Sequence, residues 1–357
     1  MSFAQPSARR VRGGRTAFAP GSLARVILGR VAILPVVLLG IVAVVFLLNR
    51  AVPGDPAQVY AGGDRADPEV VARLREQWGL DRPLLEQFFR YLGQLLQGDL
   101  GWSFSQHAPV VDVLAAKIPA TVELTLAALL IGIPIGLALG IRSARSPGSW
   151  VDHICRILAI GGISVPIFWL GLMLAYLFGV VLGWFPISGR MPAFSEFQPI
   201  TGLLVLDALL RLDFPMLGSA LWHLFLPAVT LAVYPAAVVA RFARSSYLDV
   251  FSENYIRTAR AFGIRPRVIV GVLATKNAVL PLINLLGLLI PSLIVGAVLV
   301  EIVFSWPGIG RFLLDALLAR DYIVVQSVTL LVGVLYVLLN LTADILHAVL
   351  DPRTRKT

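Results

Sequence analysis

The chain has 357 residues, of which 57% are hydrophobic and 14% charged, with a mean hydropathy of +0.82. Soluble domains carry about 25% charged residues, so this composition excludes a soluble enzyme or a string of soluble domains and points to one polytopic membrane domain. The net charge of +9 reads as the cytoplasmic excess of basic residues in a membrane protein, not as a nucleic-acid surface.

Residues 1–22 hold Arg9, Arg10, Arg12 and Arg15 among Gly, Pro and Ala. They read as a disordered basic cytoplasmic tail in contact with anionic lipid. The apolar stretch that follows is too long for a signal-peptide core and lacks a cleavage site after it, so it is a retained helix. A span needs about 20 mostly apolar residues, and six stretches qualify: Val26–Leu48, Ala120–Ile141, Ile154–Leu182, Trp222–Ala243, Leu280–Val303 and Val324–Val349. The fold class is therefore an all-α polytopic membrane protein with six expected transmembrane helices in one domain over residues 23–350. Pro35, Pro134, Pro166, Pro227, Pro235 and Pro291 fall inside these stretches, where neighbouring helices can satisfy the freed backbone groups.

Charge sets the orientation. Most basic residues gather in the first tail, around Arg142–Arg156, between Arg241 and Lys276, and in a second cytoplasmic tail, residues 351–357. Acids such as Asp55, Asp81, Asp99, Glu196 and Asp321 gather in the alternate segments. Both termini are expected in the cytoplasm. Residues 50–119 form an extracytoplasmic helical insertion, with Asp67-Pro68 and Asp81 as helix starts. Its second helix carries Leu85, Phe88, Phe89, Leu92, Leu95 and Leu96 at helical spacing. The apolar run Ile200–Leu210 is shorter than a span and reads as a re-entrant or interfacial helix.

One basic stretch stands between the fourth and fifth spans. Ser252 can cap a helix beginning at Glu253. Tyr255, Thr258, Ala259 and Phe262 share one face, and Glu253, Arg257 and Arg260 another, with Glu253 and Arg257 spaced as a favourable ion pair. Gly263 is placed for a left-handed cap and Pro266 cannot continue the helix. A short amphipathic helix over residues 252–264 needs something to pack against: lipid, the chain's own helices, or a separate subunit. Cys155 excludes an internal disulfide and reads as a small buried hydrophobe; the four histidines have no metal-ligand spacing. The phosphate-loop pattern is absent, and Pro307-Gly308-Ile309-Gly310 is a turn signal without a lysine. Neither catalysis nor a cofactor is expected in this polypeptide. Ionisable groups inside spans are functional candidates: Asp344, beside Asn340, is the deep one, with an interhelical bond or a pairing with a nearby arginine as the structural alternative. Glu123 and Glu301 sit near membrane edges.

The stretch Arg257-Thr258-Ala259-Arg260-Ala261-Phe262-Gly263, preceded by Tyr255 and followed by Asn277-Ala278 and Leu280-Pro281, resembles the cytoplasmic coupling loop of ABC importer permeases in the dipeptide/oligopeptide branch. Phe262, Leu273 and Lys276 depart from the usual lysine, histidine and arginine of that branch. Pro53-Gly54-Asp55-Pro56, Gly98-Asp99-Leu100-Gly101, Ser164-Val165-Pro166, Glu301 with Trp306-Pro307-Gly308-Ile309-Gly310, Arg320-Asp321-Tyr322 and Asp351-Pro352-Arg353 extend the likeness in order along the chain. The long insertion after span one is similar to the first of the two membrane subunits of such systems.

The resemblance implies a bacterial inner-membrane subunit that forms half of a translocation path with a second, similar permease. It implies two cytoplasmic ATPase subunits docked on the coupling helices, where ATP is hydrolysed, and an extracytoplasmic binding protein that delivers a peptide or similar small solute. Tyr255, Arg257, Thr258, Ala259, Arg260, Ala261 and Gly263 are the expected coupling residues. Nickel chelates and glutathione are alternative solutes, and a self-sufficient secondary transporter is a competing class, which would show inverted repeats or broken helices at midplane.

Overall fold

The computed structural model describes residues 21–51, 55–192, 195 and 197–350. The expected tails lie outside the described residues, except that helix α1 already takes in Gly21 and Ser22. The motif residues Pro53 and Gly54 also lie outside them.

The chain is mostly helical. α1 (Gly21–Ala51) is followed by the short helices of the insertion, α2 (Pro56–Tyr60), α3 (Pro68–Trp78) and α4 (Leu84–Leu96). β1 (Trp102–Ser103) and β2 (Ala108–Pro109) then pair antiparallel. α5 (Val110–Arg145), α6 (Trp150–Ser164) and α7 (Ile167–Leu174, continuing more widely wound to Val181) come next. α8 (Leu204–Leu210) leads into α9 (Phe214–Ser252) and α10 (Asn254–Ala261). α11 (Pro266–Val268) passes through a wide turn, Ile269–Ala274, into α12 (Thr275–Val303). α13 (Ile309–Ala319) and α14 (Tyr322–Leu350) complete the chain.

Among the described residues, four helices are each long and apolar enough to cross a membrane: Leu28–Ala51, Val110–Arg145, Phe214–Ser252 and Tyr322–Ile345. The third expected span is not one straight helix. α6 and α7 meet at 105°, and together they make a fifth candidate if counted as one. The bend has a local cause. Val165 precedes a proline, which forces it out of helical geometry into an extended one (φ −76°, ψ 125°). Pro166 brings no N–H to continue the ladder. In the fifth expected span, α12 holds the shorter apolar stretch Leu289–Val303.

Contacts fix the helix directions. Arg30 pairs with Asp344, Gly333 approaches Ile41, and Asn49 donates to Gln326, so α1 and α14 run antiparallel along their length. Gly132, Gly136 and Gly140 face Ala232, Ala236 and Ala240 at a constant offset, so α5 and α9 run parallel. A Cβ at Gly136 would stand 2.5 Å from the Ala236 carbonyl oxygen, and one at Gly140 2.6 Å from that of Ala240. Such small-residue edges let backbones touch, which is how helices gain packing where lipid competes for every apolar side chain. α12 runs antiparallel to α9: Ser246 donates to the Ala278 carbonyl at 2.8 Å, and a Cβ at Gly296 would meet Leu231 at 3.4 Å. Ala128, Leu231, Leu293 and Val300 form the core among these three helices.

The insertion is tied down by aspartates. Asp67 caps α3 as expected, accepting from the Glu69 N–H at 2.9 Å. Asp55-Pro56 repeats the same device on α2. Asp81 does not cap: α4 begins three residues later, with Pro83 as its capping residue and no side-chain bond there. The apolar stripe of α4 divides. Phe88, Leu92 and Leu95 pack on α1 and α14, while Leu85, Phe89 and Leu96 stay exposed. Asp321, wholly buried, accepts from Ser103 Oγ at 2.8 Å and Ser105 Oγ at 3.0 Å and sits at the start of α14. In Ile200–Leu210 only the second half is helix, because Asp207 gathers the N–H groups of Ile200, Thr201 and Gly202 into a turn.

Candidate functional site

The basic stretch forms a short helix held at both ends by backbone geometry. Ser252 is the last residue of α9, and its hydroxyl donates back to the Asp249 carbonyl at 2.7 Å, so it does not cap α10. Glu253 takes the extended capping position without a side-chain bond, and α10 starts at Asn254. The expected Glu253–Arg257 ion pair is not formed among the described residues. The end is as expected. Gly263 is left-handed (φ +72°), its N–H donates to the Arg260 carbonyl at 3.0 Å, and the Ile264 N–H reaches the Ala259 carbonyl at 3.1 Å. That pair of bonds is the glycine-terminated helix cap. Pro266 then starts the next turn.

The helix has one inward face, and it does not follow the expected grouping of Tyr255, Thr258, Ala259 and Phe262. Ile256 and Ala259 are buried against Tyr247, Ala243 and Ile269. Ala259 therefore serves the chain's own core. Phe262 points away, 81% exposed, because it lies at the cap, where the helical register ends. Ile256, at the i−3 position from Ala259, is the signal that sequence reasoning passed over. Tyr255 anchors the helix sideways: its hydroxyl accepts from Asn277 Nδ2 at 2.8 Å and donates to the Leu273 carbonyl at 3.4 Å. Thr258 turns inward on its own helix, bonding the Asn254 carbonyl at 3.0 Å.

What remains outside is basic. Arg257, Arg260, Ala261, Phe262, Arg265, Arg267 and Lys276 are all exposed. Among the described residues none of these cations is in an ion pair, and Arg260 sits 5.8 Å over the Phe251 ring. Beside this surface a groove of about 640 Å³ runs between Ala144–Pro147 at the end of α5 and Arg260, Ile264 and Pro266. The loop there is fastened by Asp152, which accepts from Arg244 at 2.8 and 3.0 Å, from the Gly148 N–H at 2.9 Å, and from Ser143. A braced helix thus exposes a basic surface whose cations form no ion pair among the described residues.

The opposite ends of the helices carry a second knot. Glu301, wholly buried, accepts from Thr121 Oγ1 and from the Gly310 and Arg311 N–H groups at the start of α13. Glu123 pairs with Arg190 and accepts from the Val205 N–H at 2.7 Å. Arg190 donates to the Gly202 carbonyl at 2.9 Å and lies over Trp306. Arg190 and Arg244 were not singled out in the sequence; pairing across 67 and 92 positions leaves no local signal. The intramembrane candidates lie one turn apart on α14. Asp344 pairs with Arg30 of α1, and Asn340 bonds the Tyr336 carbonyl of its own helix at 2.9 Å. Among the described residues no cluster of metal-ligating side chains occurs.

Comparison with known proteins gives the family. Residues 132–356 match the family described as binding-protein-dependent transport system inner membrane component, and residues 23–125 match the N-terminal family of such membrane components. The chain is similar to the di/tripeptide transport system permease protein DppB of Pseudomonas aeruginosa (strain UCBPP-PA14), 44% identical over 88% of this chain and 94% of the relative. It is likewise similar to the probable D,D-dipeptide transport system permease protein DdpB of Escherichia coli (strain K12), 44% identical over 90% of this chain and 94% of that one. A solved structure of the MetNI methionine ABC transporter in inward-facing form aligns at 18% identity and TM-score 0.46, covering 68% of this chain and 94% of that chain.

Proposed function

The chain belongs to the family of binding-protein-dependent transport system inner membrane components, and we propose that it is the first permease of an ATP-driven peptide importer. It is a membrane subunit and not an enzyme; ATP hydrolysis and substrate capture belong to partner proteins of the system. The peptide assignment rests on what its relatives are named for. A second, similar permease completes the path, and two ATPase subunits stand beneath the pair.

The membrane reading has six passes: α1, α5, the bent α6–α7 pair, α9, α12 and α14. The alternating helix directions support it, since α5 and α9 run parallel while α12 opposes α9. Both ends of the chain then lie in the cytoplasm, α10 lies on that side, and the insertion lies on the other. The observation that carries the coupling role is the division of α10. Ile256 and Ala259 lock it to α9 and the Ile269–Ala274 turn, while Arg257, Arg260, Ala261 and Phe262 stand free around a left-handed Gly263. Motion of a partner pressed on that face passes directly into two long helices.

The test replaces exposed residues only. Ala261→Asp with Phe262→Asp leaves the core of α10 untouched. The double variant should insert at normal levels but lose co-purifying ATPase subunits and ATP-dependent peptide uptake. Wild-type uptake with ATPase subunits still attached would sink the coupling assignment. The ligand carried by the accompanying binding protein names the solute, and a nickel chelate found there would reassign it.

A further inference from the structure

A cavity of about 680 Å³ lies between the insertion and the outer ends of α1 and α14, far along the chain from the coupling surface. Its walls include Arg50, Tyr60, Trp78, Gln87, Arg90 and Tyr91. Three features set it apart. First, it holds two guanidinium groups that enter no ion pair among the described residues; Arg50 lies 5.4 Å over the Phe46 ring instead. The one carboxylate in the wall, Asp99, already accepts from the Gly101 N–H at 2.8 Å.

Second, two buried polar atoms in this wall have no hydrogen-bond partner among the described residues, Arg50 Nε and Gln87 Oε1, and the buried Tyr91 hydroxyl has only the Gln326 side chain beside it. A buried donor or acceptor left unsatisfied is costly, so such atoms around one space mark a place where a ligand would bind. Gln87 is 9% exposed, and its amide nitrogen is already spent on the Leu80 and Arg82 carbonyls. Burial pushes the Tyr91 phenol up to about 12, so it stays a donor. Third, the space is built around Arg90. Gly79 ends α3 in a left-handed conformation (φ +66°), and a Cβ there would stand 2.6 Å from Arg90 Nη1.

We propose that this cavity binds a small anionic group, a carboxylate or a phosphate, between Arg50 and Arg90, with the Tyr91 hydroxyl as a third donor. The excess positive charge selects the sign of the ligand, and planar guanidinium forks match both oxyanions. Tyr60 and Trp78, edge to face at 5.0 Å, wall one side with aromatic surface. Occupancy would join α1, α3 and α4 through one ligand, and so fix the insertion on the outer ends of the spans. The group can arrive as a free anion or as a lipid headgroup. The inference stands on the cavity alone and does not depend on which solute is transported.

The experiment uses the intact transport complex in nanodiscs. In phosphatidylcholine discs, labelled inorganic phosphate is titrated by equilibrium dialysis, and the difference between wild type and Arg90→Gln isolates this site from phosphate held by ATPase subunits. One site per chain should be lost or weakened at least tenfold in Arg90→Gln and in Arg50→Gln. Arg90 is exposed on α4, so its variant should keep the wild-type melting temperature, which separates loss of binding from loss of fold. In discs containing phosphatidylglycerol, native mass spectrometry should show whether one anionic lipid per chain is retained and then lost in Arg90→Gln; that outcome identifies the headgroup as the source. Neither ligand bound in a one-to-one ratio, or binding unchanged in both variants, would overturn the proposal and leave a water-filled space.

Discussion

The hydroxyl of Thr121 on α5 donates to the Glu301 carboxylate of α12 at 2.5 Å, and its oxygen in turn accepts the Ile309 N–H at 2.9 Å. One threonine thereby joins two long helices to the start of a third. The other carboxylate oxygen takes the Gly310 N–H at 2.6 Å and the Arg311 N–H at 3.1 Å. The turn can close only because residue 308 is glycine, since a Cβ there would meet the carboxylate at 2.2 Å.

Glu301→Ala should therefore cost more than Glu301→Gln. Alanine strands three buried donors, for a loss on the order of 3 kcal/mol. Glutamine keeps an acceptor for the backbone and gives up the charge, a loss of about 1 kcal/mol. Gly308→Ala should resemble Glu301→Ala by pushing the carboxylate out. Thermal unfolding of the purified chain in detergent ranks the three; equal melting temperatures for Ala and Gln would refute the network as the stabilising element.

Gly136 and Gly40 make a matched pair. Gly136→Ala places a Cβ 2.5 Å from a backbone oxygen of α9, where neither helix can yield cheaply. A cost of about 1–3 kcal/mol is expected from such overpacking. Gly40→Ala on α1 meets nothing within 4 Å and should be neutral or slightly stabilising. Parallel melts of both variants decide it, and an equal response would mean that the α5–α9 contact is looser than the structure shows.

The four long apolar helices, the cap at Gly263 and the Asp67-Pro68 helix start were legible because each is written locally, as hydropathy, glycine placement or a capping pair. The α6–α7 bend was half legible: Pro166 was visible, but a proline in a span also fits a nearly straight helix. The inward face of α10 was not legible, since Tyr255, Thr258, Ala259 and Phe262 are equally regular in spacing. What decides is the packing of Ile256 under α9, a tertiary fact. Asp152–Arg244 and Glu123–Arg190 were out of reach because each joins elements far apart in sequence, and each charge alone reads as ordinary loop polarity.

Asp207 gives a pH dependence with a defined sign. Burial alone would raise its pKa, but the Thr201 hydroxyl and the Ile200, Thr201 and Gly202 N–H groups outweigh it and hold the carboxyl below its ordinary value. A depressed folded-state pKa adds stability above the unfolded value, about 3.9. That stability is lost as pH falls through the folded value. Asp207→Asn should melt below wild type at pH 6, and the gap should close as pH falls below about 4. A gap that persists unchanged at pH 3 would show that shape, not charge, holds the turn.

Asp152 and Arg244 call for a double-mutant cycle. Asp152 is 1% exposed, and Arg244 supplies two of its bonds. Arg244→Ala leaves a buried carboxylate short of its partner and should cost about 3 kcal/mol. Asp152→Asn added to it should recover part of that loss, because the uncompensated charge is gone. Additive losses in unfolding would mean that the two side chains act independently.

Gly263 separates two readings of the proposed coupling surface. A Cβ there would meet nothing within 4 Å, so the glycine is demanded by its φ of +72° and not by space within this chain. Valine should strain the turn by about 1–2 kcal/mol, fray the bond from Ile264 to Ala259, and uncouple uptake from ATP hydrolysis. Asparagine tolerates the left-handed conformation and should restore coupling despite its larger side chain. Uptake by reconstituted complexes, read against ATP hydrolysis in the same vesicles, gives the answer. Recovery with asparagine assigns the role to backbone conformation. Equal loss with asparagine and valine would instead mean that a partner packs against residue 263 too closely for any side chain.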